Sequence, residues 1–429
     1  MRFLKWLYPG MQVKRWVLLA LGGVFCFGIG SALLPVENNI FQRAISLGIL
    51  VIGLTSLSMG VVLIVRSLLD VVSPRPQQDL VERVFQRRHL EKGPRIVAIG
   101  GGTGLSTILH GLKQYTTNIT TIVTVADDGG SSGRLREEFD ILPPGDIRNC
   151  LVALADAEPL MQQLFQYRFG GNSPLRGHNF GNLFITAMTQ ITGDFEQAVQ
   201  ASSKVLAIRG RVVPATNAKV CLIAEHEDGS VTRGETQISK APVPIRRVYL
   251  EPAGCQPTAE ALAQIRDANA IVLGPGSLYT SIIPNLLVDR MVDAIVASKA
   301  LKLYICNVMT QTRETHAYKA SDHVRALVSH TNPGIIQVCL VNTGPIPDAF
   351  LDRYRQEDAF PVESDIQRIR ALGYQVVADD LVSTDGVVRH DPEKVARSII
   401  NLIVGSRNRT VTTNGPPTDP SILPSAISV

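Results

Sequence analysis

The segment IVAIGGGTGLSTIL, residues 96–109, joins an apolar run to a helix-like pattern through four glycines within five positions. The apolar run predicts a buried strand of the parallel type, and Leu105, Ile108 and Leu112 recur at helical spacing after the turn. Glycine allows a positive φ and carries no Cβ, so backbone amides at the helix start can approach a phosphate. The turn therefore predicts an anion site, and the alternative is a tight turn that binds no ligand.

The glycine spacing does not match the two best-known nucleotide motifs. A dinucleotide fingerprint, G-x-G-x-x-G, needs a third glycine where this chain has Leu105 or Thr107. A P-loop needs Gly-Lys followed by Ser or Thr, which does not occur in the sequence. The sequence thus excludes a P-loop and leaves an NAD(P)-dependent oxidoreductase as the weaker alternative.

The composition indicates a globular protein with a membrane segment. Of the 429 residues, 45% are hydrophobic and 19% are charged, and the net charge is +4. The basic residues are scattered rather than striped, so we expect no nucleic-acid partner. The six cysteines are far apart and form no C-x-x-C pair, which predicts buried thiols rather than a zinc site or a disulfide framework.

Two uncharged stretches near the N-terminus, residues 16–36 and 44–65, are each long enough to cross a membrane as a helix. Lysine and arginine precede the first stretch and follow the second, which predicts that both ends face the cytoplasm. We expect a multi-pass protein of the cell (inner) membrane with its main domain in the cytoplasm. The predicted parts are a hairpin (1–72), a linker (73–94), the main domain (95–405) and a disordered tail (406–429).

A second apolar run ends in VADDGGSSG, residues 125–133, which places small polar side chains where a neighbouring strand would end. Two such turns from adjacent strands would line one crevice, and Ser131 and Ser132 are predicted to lie in it. Asp127 or Asp128 would hold a ribose hydroxyl there, or the two would hold Mg²⁺. The alternative for both aspartates is a solvated helix cap.

Two further polar clusters precede predicted helices. In LPPGDIRNC, residues 142–150, Arg148 is predicted to pair with a phosphate, beside Asn149. In GHNFGNLF, residues 177–184, His178, Asn179 and Asn182 suit recognition of a base or a sugar hydroxyl. A surface arginine and a capping or core histidine are the corresponding alternatives.

The segment GPGS, residues 274–277, repeats the arrangement of the first turn between another predicted strand and helix. Gly274, Gly276 and Ser277 are therefore predicted to form a second phosphate-binding helix start. A fifth polar cluster, TQTRETHAY, follows the apolar segment LKLYICNVM at another predicted strand end.

Taken together, these motifs resemble one family. AIGGGTGLS, VADDGGSSGRLR, PPGDIRN, GHNFGNL, GPGSLYTSIIPNL and NVMTQTRET occur in the order and spacing of the CofD-like (2-phospho-L-lactate transferase) superfamily. The sequence most resembles its YvcK branch, the gluconeogenesis factors, from residue 95 to about residue 405. One departure is Arg313, which stands where the family pattern would have glycine.

The resemblance implies a three-layer α/β body related to the Rossmann fold, with its ligand at the carboxyl ends of a parallel sheet. The YvcK branch implies binding of UDP-sugars such as UDP-N-acetylglucosamine and a link to cell shape, cell-wall precursor supply and gluconeogenic growth. The CofD branch implies Mg²⁺-dependent transfer of a 2-phospho-L-lactate unit from a guanosine diphosphate donor to a deazaflavin. By position, the resemblance implies a site lined by Gly101, Gly102, Thr103, Gly104, Asp127, Asp128, Asn179 and Asn182.

The leading hypothesis is a membrane-tethered regulator that binds a nucleotide sugar and needs no cofactor for binding. The alternative is a Mg²⁺-dependent phosphotransferase that forms a phosphodiester. We expect a UDP-sugar or other nucleotide-linked ligand, a homo-oligomer, and an envelope-synthesis protein as partner. No residue is assigned a catalytic role.

Overall fold

The structure is a computed structural model that describes residues 13–35, 39–72, 88, 90–157, 159–383 and 387–412. The chain divides into two compact units, Met1–Arg88 and His89–Val429. The second unit, the body, carries every predicted site residue. Residues 73–87 and 89 of the predicted linker, and 413–429 of the predicted tail, lie outside the described residues.

The first unit contains two apolar helices, α1 (Val13–Leu33) and α2 (Ile40–Val72). Within them, Arg15–Leu33 and Ile40–Ser67 have a mean hydropathy of 2.0 and 2.4. Most of their large apolar side chains are exposed in the structure, among them Phe25 and Phe41. Both helices are therefore long and apolar enough to cross a membrane, as the sequence predicts.

A seam of glycines joins α1 to α2. A Cβ added at Gly23 or Gly53 would collide with the backbone of the partner helix. Gly30 and Gly60 lie seven positions further along each helix, and a Cβ at either would come within 2.7 Å of a backbone nitrogen on the partner. Small residues at such positions let membrane helices approach closely. These four glycines are called the glycine seam.

The strands of the body are numbered in chain order. They are β1 Ile96–Gly100, β2 Ile119–Val123, β3 Arg211–Pro214, β4 Cys221–His226, β5 Val231–Arg233, β6 Ile245–Glu251, β7 Ala270–Leu273, β8 Leu301–Ile305, β9 Val338–Asn342, β10 Gln375–Asp379, β11 Val382–Ser383 and β12 Arg389–His390. Seven of them form one sheet in the order β10-β9-β8-β7-β1-β2-β3, and all its neighbouring pairs are parallel. All five residues of β1 are buried, so this central strand lies in the hydrophobic core.

The sheet order explains where a ligand would bind. From β1 the chain moves outward to β2 and β3, then returns to β7 on the other side of β1 and moves on to β8, β9 and β10. The crossovers thus run in opposite directions from β1, which creates a switch point between β1 and β7. Parallel crossovers are almost always right-handed, so this reversal places helices on both faces of a sheet. Open α/β sheets bind their ligands outside the carboxyl ends of the strands near such a point.

Helices cover both faces of the sheet. They are α3 Gly102–Leu112, α4 Gly130–Phe139, α5 Gly145–Leu154, α6 Pro159–Gln166, α7 Phe180–Thr192, α8 Phe195–Val205, α9 Glu235–Ile238, α10 Ala259–Asp267, α11 Ile283–Leu286, α12 Met291–Ala297, α13 Ala320–Ser329, α14 Asp348–Gln356, α15 Ile366–Ala371 and α16 Pro392–Thr412. A π turn, Leu278–Ile282, precedes α11, and a 3₁₀ turn, Pro333–Ile335, precedes β9. Helix α3 packs on α5 and α16, whereas α10 packs on α12 and α13 on α15. The predicted three-layer α/β fold is confirmed.

Three features of the body were not predicted. An antiparallel sheet in the order β5-β4-β6 interrupts the chain between β3 and α10 and carries the short helix α9. The body also begins before residue 95, because Leu90 is buried and its carbonyl accepts the backbone N–H of Thr117 (3.1 Å). At the other end, α16 continues to Thr412, seven residues past the predicted domain end at 405.

Candidate functional site

The first glycine turn connects β1 to α3 at the carboxyl edge of the sheet. Gly102 has a φ of +66°, in the left-handed region, and Gly101 is extended in the position before the helix. The side-chain amide of Asn285 donates to the Gly100 carbonyl (3.0 Å) and holds the end of the strand. The turn is the tight strand-to-helix connection that the sequence predicts.

The two glycine turns contact each other through their backbones. A Cβ at Gly104 would lie 2.8 Å from the Pro275 carbonyl oxygen, and a Cβ at Gly276 would lie 3.3 Å from the Gly101 carbonyl oxygen. Because β1 and β7 are adjacent, the turns that follow them must pass each other, and glycine leaves the room they need. The second glycine turn therefore has a packing role.

The carboxylate of Asp146 lies at the start of α3. Asp146 belongs to the first turn of α5, and its carboxylate accepts a hydrogen bond from the backbone N–H of Gly102. A Cβ at Gly101 would come within 2.5 Å of Asp146 Oδ2, so glycine is required there as well. Burial, and then the neighbouring charge of Asp127, raise the pKa of Asp146 to about 6.

A cavity of about 240 Å³ lies beside this carboxylate. The first residues of α4 and α5 line it, and the positive ends of two helix dipoles favour an anion there. Six predicted site residues line the cavity: Asp127, Ser131, Ser132, Arg148, Asn149 and Asn182. Asp146 and Arg168, which were not predicted, line it too.

The two adjacent aspartates have different surroundings. Asp127 lines the cavity, and its Oδ1 accepts the backbone N–H of Gly129 (2.8 Å). The Oδ1 of Asp128 accepts both the backbone N–H (2.9 Å) and the hydroxyl (2.7 Å) of Thr236 in α9. Asp128 therefore anchors α9 to the turn after β2, which differs from the solvated helix cap that the sequence left open.

Glu235, the first residue of α9, lies close to these carboxylates. Burial, the charge of Asp127 and a hydrogen bond with Asp127 raise the pKa of Glu235 well above its usual range. A protonated Glu235 can donate that hydrogen bond to the Asp127 carboxylate. The carboxyl groups of Asp127, Asp146 and Glu235 are called the acidic wall. Glu235 gave no sequence signal because its partner lies more than a hundred residues away.

The Arg148 side chain also lines the cavity. Its Nη1 donates to Asn182 Oδ1 (2.8 Å) and its Nη2 to Asn149 Oδ1 (2.7 Å). The aliphatic stem packs on Gly181, where a Cβ would come within 2.8 Å of the Arg148 Cδ. Burial, and then the charge of Arg168, lower the pKa of Arg148 to about 10.

The GHNFGNL segment holds the start of α7. Asn179 Oδ1 accepts the backbone N–H of Asn182 (3.2 Å), and Asn179 Nδ2 donates to the Gln166 carbonyl (2.9 Å). His178 is 6% exposed, and its Nδ1 lies 3.3 Å from the Ser131 hydroxyl. Burial, and then Arg134, lower the pKa of His178. His178 and Asn179 thus connect α7 to the start of α4, while Asn182 reaches the cavity.

Protein groups bind the second glycine turn. The backbone N–H of Gly276 donates to Asn307 Oδ1 (3.3 Å), and the Ser277 hydroxyl donates to Glu314. Burial raises the pKa of Glu314, which also accepts hydrogen bonds from the hydroxyls of Ser239 (3.2 Å) and Thr280 (3.4 Å). Glu314 therefore joins the second glycine turn to the segment after α9.

Arg313 adopts a backbone conformation that suits glycine. Arg313 has a φ of +71°, a conformation in which side chains are disfavoured. Its guanidinium donates to the Lys240 carbonyl (2.8 Å), which holds the residue in that conformation.

The predicted site residues thus fall into two groups. One group consists of the six residues named above, which line the cavity. The other lies around it and contacts protein groups or solvent, namely Gly101, Gly102, Thr103, Gly104, Asp128, His178, Asn179, Gly274, Gly276 and Ser277.

Fold and site define a doubly wound α/β protein with a polar cavity at the carboxyl edge of its parallel sheet. The family model described as 2-phospho-L-lactate transferase CofD matches residues 96–382. The chain therefore belongs to the CofD family.

Several relatives share most of the body. The Bacillus subtilis protein named "Gluconeogenesis factor" is 52% identical over 72% of this chain and 98% of its own length. A Nostoc sp. relative is 46% identical over 95% of this chain and 94% of its own length, so that match extends into the first unit. The crystal structure of protein BH3568 from Bacillus halodurans has 51% identity and a TM-score of 0.71, and covers 72% of this chain and 100% of its own.

Proposed function

We propose that the body binds a nucleotide-linked ligand through its diphosphate, with UDP-sugars such as UDP-N-acetylglucosamine as the ligand class. The observation that carries the proposal is the cavity itself, in which two helix starts and the Arg148 guanidinium surround one small space. Backbone amides at helix starts and an arginine fork are the groups that proteins use to bind phosphate.

The cavity volume supports binding through the phosphates. Pockets that enclose a drug-sized ligand measure roughly 300–1,000 Å³, whereas this cavity measures about 240 Å³. It has room for a diphosphate but not for a whole nucleotide sugar. The base and the sugar would therefore lie over the rim of the cavity.

In this role the protein is a membrane-tethered regulator that responds to a cell-wall precursor and affects cell shape and gluconeogenic growth. The gluconeogenesis-factor names of its relatives support the metabolic part of the proposal. The ligand signal would pass to an envelope-synthesis protein, and we expect the regulator to act as a homo-oligomer.

Calorimetry of the body with UDP-N-acetylglucosamine tests the proposal. The body is suited to this experiment because the whole B. halodurans protein, which aligns with it, folds and crystallises alone. We expect saturable heat with the nucleotide sugar and none with uridine, which lacks the phosphates. No heat at millimolar nucleotide sugar, with folded protein, would contradict the proposal.

The acidic wall favours a second candidate, a Mg²⁺-dependent transferase of the 2-phospho-L-lactate type that forms a phosphodiester. The family description supports it as well. Among the described residues, no group of three or more histidine, cysteine or acidic side chains is arranged to hold a metal ion. Mg²⁺ commonly binds one or two carboxylates together with water and substrate phosphates, so Asp127 and Asp146 fit the ion. Bound there, it would neutralise charge on the phosphoryl group.

Turnover distinguishes this candidate from a pure binding role. With Mg²⁺ and a deazaflavin acceptor present, a transferase would move the phospholactyl group from a nucleotide-linked donor to the acceptor hydroxyl and release nucleoside monophosphate, and Asp127→Asn would abolish the release. Asp267→Asn is the matched control, because Asp267 lies at the end of α10, just before the amino end of β7. No release across a panel of guanosine and uridine donors would rule the candidate out.

A further inference from the structure

The charge of Arg148 has no anionic hydrogen-bond partner. Its two terminal nitrogens donate to the neutral amide oxygens of Asn182 and Asn149, and its Nε is buried without any partner. A guanidinium forms its strongest hydrogen bonds with carboxylate or phosphate oxygens. Neutral groups therefore hold Arg148 in place, and its guanidinium has no directly bonded anion.

Arg168 presents a second cation to the same cavity. Its Nη1 donates to the Gly177 carbonyl (2.7 Å), a neutral acceptor. In the part of the chain that the structure describes, neither Arg148 nor Arg168 lies within 4.0 Å of a carboxylate in an ion pair. Both therefore present positive charge to one cavity without an ion pair, and Asp146 and Asp127 act on the Arg148 charge only from a distance.

The backbone around Arg168 is ordered by several hydrogen bonds. Phe169 N–H donates to the His178 carbonyl (2.9 Å), Gly177 N–H to the Phe169 carbonyl (2.8 Å) and Phe180 N–H to the Tyr167 carbonyl (2.8 Å). Arg168 itself pairs with Asn179 in an antiparallel bridge. These bonds fix the segment 167–180 against the start of α7, so the position of Arg168 at the rim is built into the fold.

Two guanidinium groups that lie close together repel each other, and an anion bound between them removes that repulsion. The starts of α4 and α5 add positive potential to the cavity, whereas the carboxylates of Asp127 and Asp146, which also line it, repel an anion. An anionic group would thus bind toward the arginines and away from the carboxylates. A phosphate group carries the charge and the several acceptor oxygens that such a pair requires.

We propose that Arg168 and Arg148 together form a receptor for a phosphate group, and that Arg168 makes the affinity of this cavity depend on the phosphate charge of its ligand. The inference rests on the proposed function, because it assigns the diphosphate of the nucleotide-linked ligand to the arginine side of the cavity. Arg168 is thereby a binding residue that acts from the loop before α7.

Calorimetry with inorganic pyrophosphate as the probe tests the inference. For the body, Arg168→Ala is expected to weaken pyrophosphate binding by about tenfold or more, as loss of a charge-assisted hydrogen bond predicts. The pyrophosphate affinity of Arg168→Lys should lie between those of Arg168→Ala and the wild type, because lysine keeps the positive charge but cannot form the bidentate hydrogen bonds of a guanidinium. Arg266→Ala, an exposed arginine in the last turn of α10, should leave the affinity unchanged.

The outcomes separate this inference from the proposed function. If the wild type binds pyrophosphate but no nucleotide sugar, the proposed function fails and the phosphate receptor stands. If Arg168→Ala binds pyrophosphate as tightly as the wild type, or the wild type does not bind it at millimolar concentration, the receptor is overturned. Because the Arg168 side chain is exposed, a thermal melt should show that the variant stays folded.

Discussion

At the scale of single residues, Asp146 is the least expected feature. The glycine pattern predicts that a phosphate binds at the start of α3. In the structure the Asp146 carboxylate lies there instead and accepts a hydrogen bond from the N–H of Gly102. A bound phosphate must therefore use other donors or displace this carboxylate. The cavity beside Asp146 offers those donors at the starts of α4 and α5.

Asp146→Asn should stabilise the body above pH 7. The pKa of Asp146 in the folded protein, about 6, exceeds its ordinary value of 3.8, so the folded state binds the proton more tightly than the unfolded state. The free energy of unfolding of the wild type therefore falls as the pH rises from about 4 through about 6. Asparagine is always neutral, and the variant should be more stable by about 1–3 kcal/mol at pH 7.5.

Urea unfolding of both proteins at pH 5 and pH 7.5 measures this effect. The advantage of the variant should be larger at pH 7.5 than at pH 5, where the wild-type carboxyl is mostly protonated. An advantage that does not change with pH would show that Asp146 titrates normally in the folded body.

Cavity residues that follow a strand or open a helix within a recognisable motif were predictable from the sequence. Asp127, Arg148 and Asn182 are of this kind. Glu235 and Arg168 were not predictable, because the contact of Glu235 with Asp127 and the position of Arg168 at the cavity both depend on the tertiary fold. The role of Asp128 was not predictable either, since its partner is Thr236, which lies in an insertion with no motif.

At the scale of elements, the contact between the two glycine turns fixes how closely the connection from β1 to α3 approaches the connection that follows β7. Gly104→Ala should lower the free energy of unfolding by about 1–3 kcal/mol, because the new methyl group would press on the Pro275 carbonyl oxygen. Gly100→Ala is the matched control, since its nearest contact would be an ordinary 3.6 Å. Urea unfolding of the two variants should differ clearly, and equal stabilities would contradict the packing role.

Variants of Glu314 test how much its hydrogen bonds stabilise the second glycine turn. Glu314→Ala removes the acceptor shared by Ser277, Ser239 and Thr280, and should lower the free energy of unfolding by about 2–4 kcal/mol. Glu314→Gln keeps the volume and one acceptor oxygen and should cost less. If a urea titration gives both variants the stability of the wild type, these hydrogen bonds contribute nothing measurable.

The parallel strands were predictable because their apolar runs end in glycine and polar turns, as β1, β2, β7 and β8 show. The antiparallel sheet β5-β4-β6 was not predicted. Strand β6, Ile245–Glu251, alternates buried and exposed residues only in part, and β5 has three residues, so the period-two signal is weak. Glu235 was therefore not predicted either, because it belongs to the same insertion.

At the scale of the whole molecule, the apolar helices predict where the protein resides in a cell. We expect the full chain to sediment with membranes and to require detergent for release, because α1 and α2 expose large apolar side chains along most of their length. A chain beginning at residue 89 should remain in the supernatant after the same lysis. Recovery of the full chain in the supernatant would contradict membrane anchoring.

The glycine seam has a consequence for how α1 and α2 enter a bilayer. The glycine seam leaves a shallow groove on each helix, and a second helix fills such a groove better than lipid tails do. On its own, α1 would therefore have a poorly packed glycine face. Insertion of the pair as a preassembled unit avoids that intermediate. Since the four glycines lie between α1 and α2, most large apolar side chains of the two helices stay on the outer surface of the pair, where a bilayer would contact them.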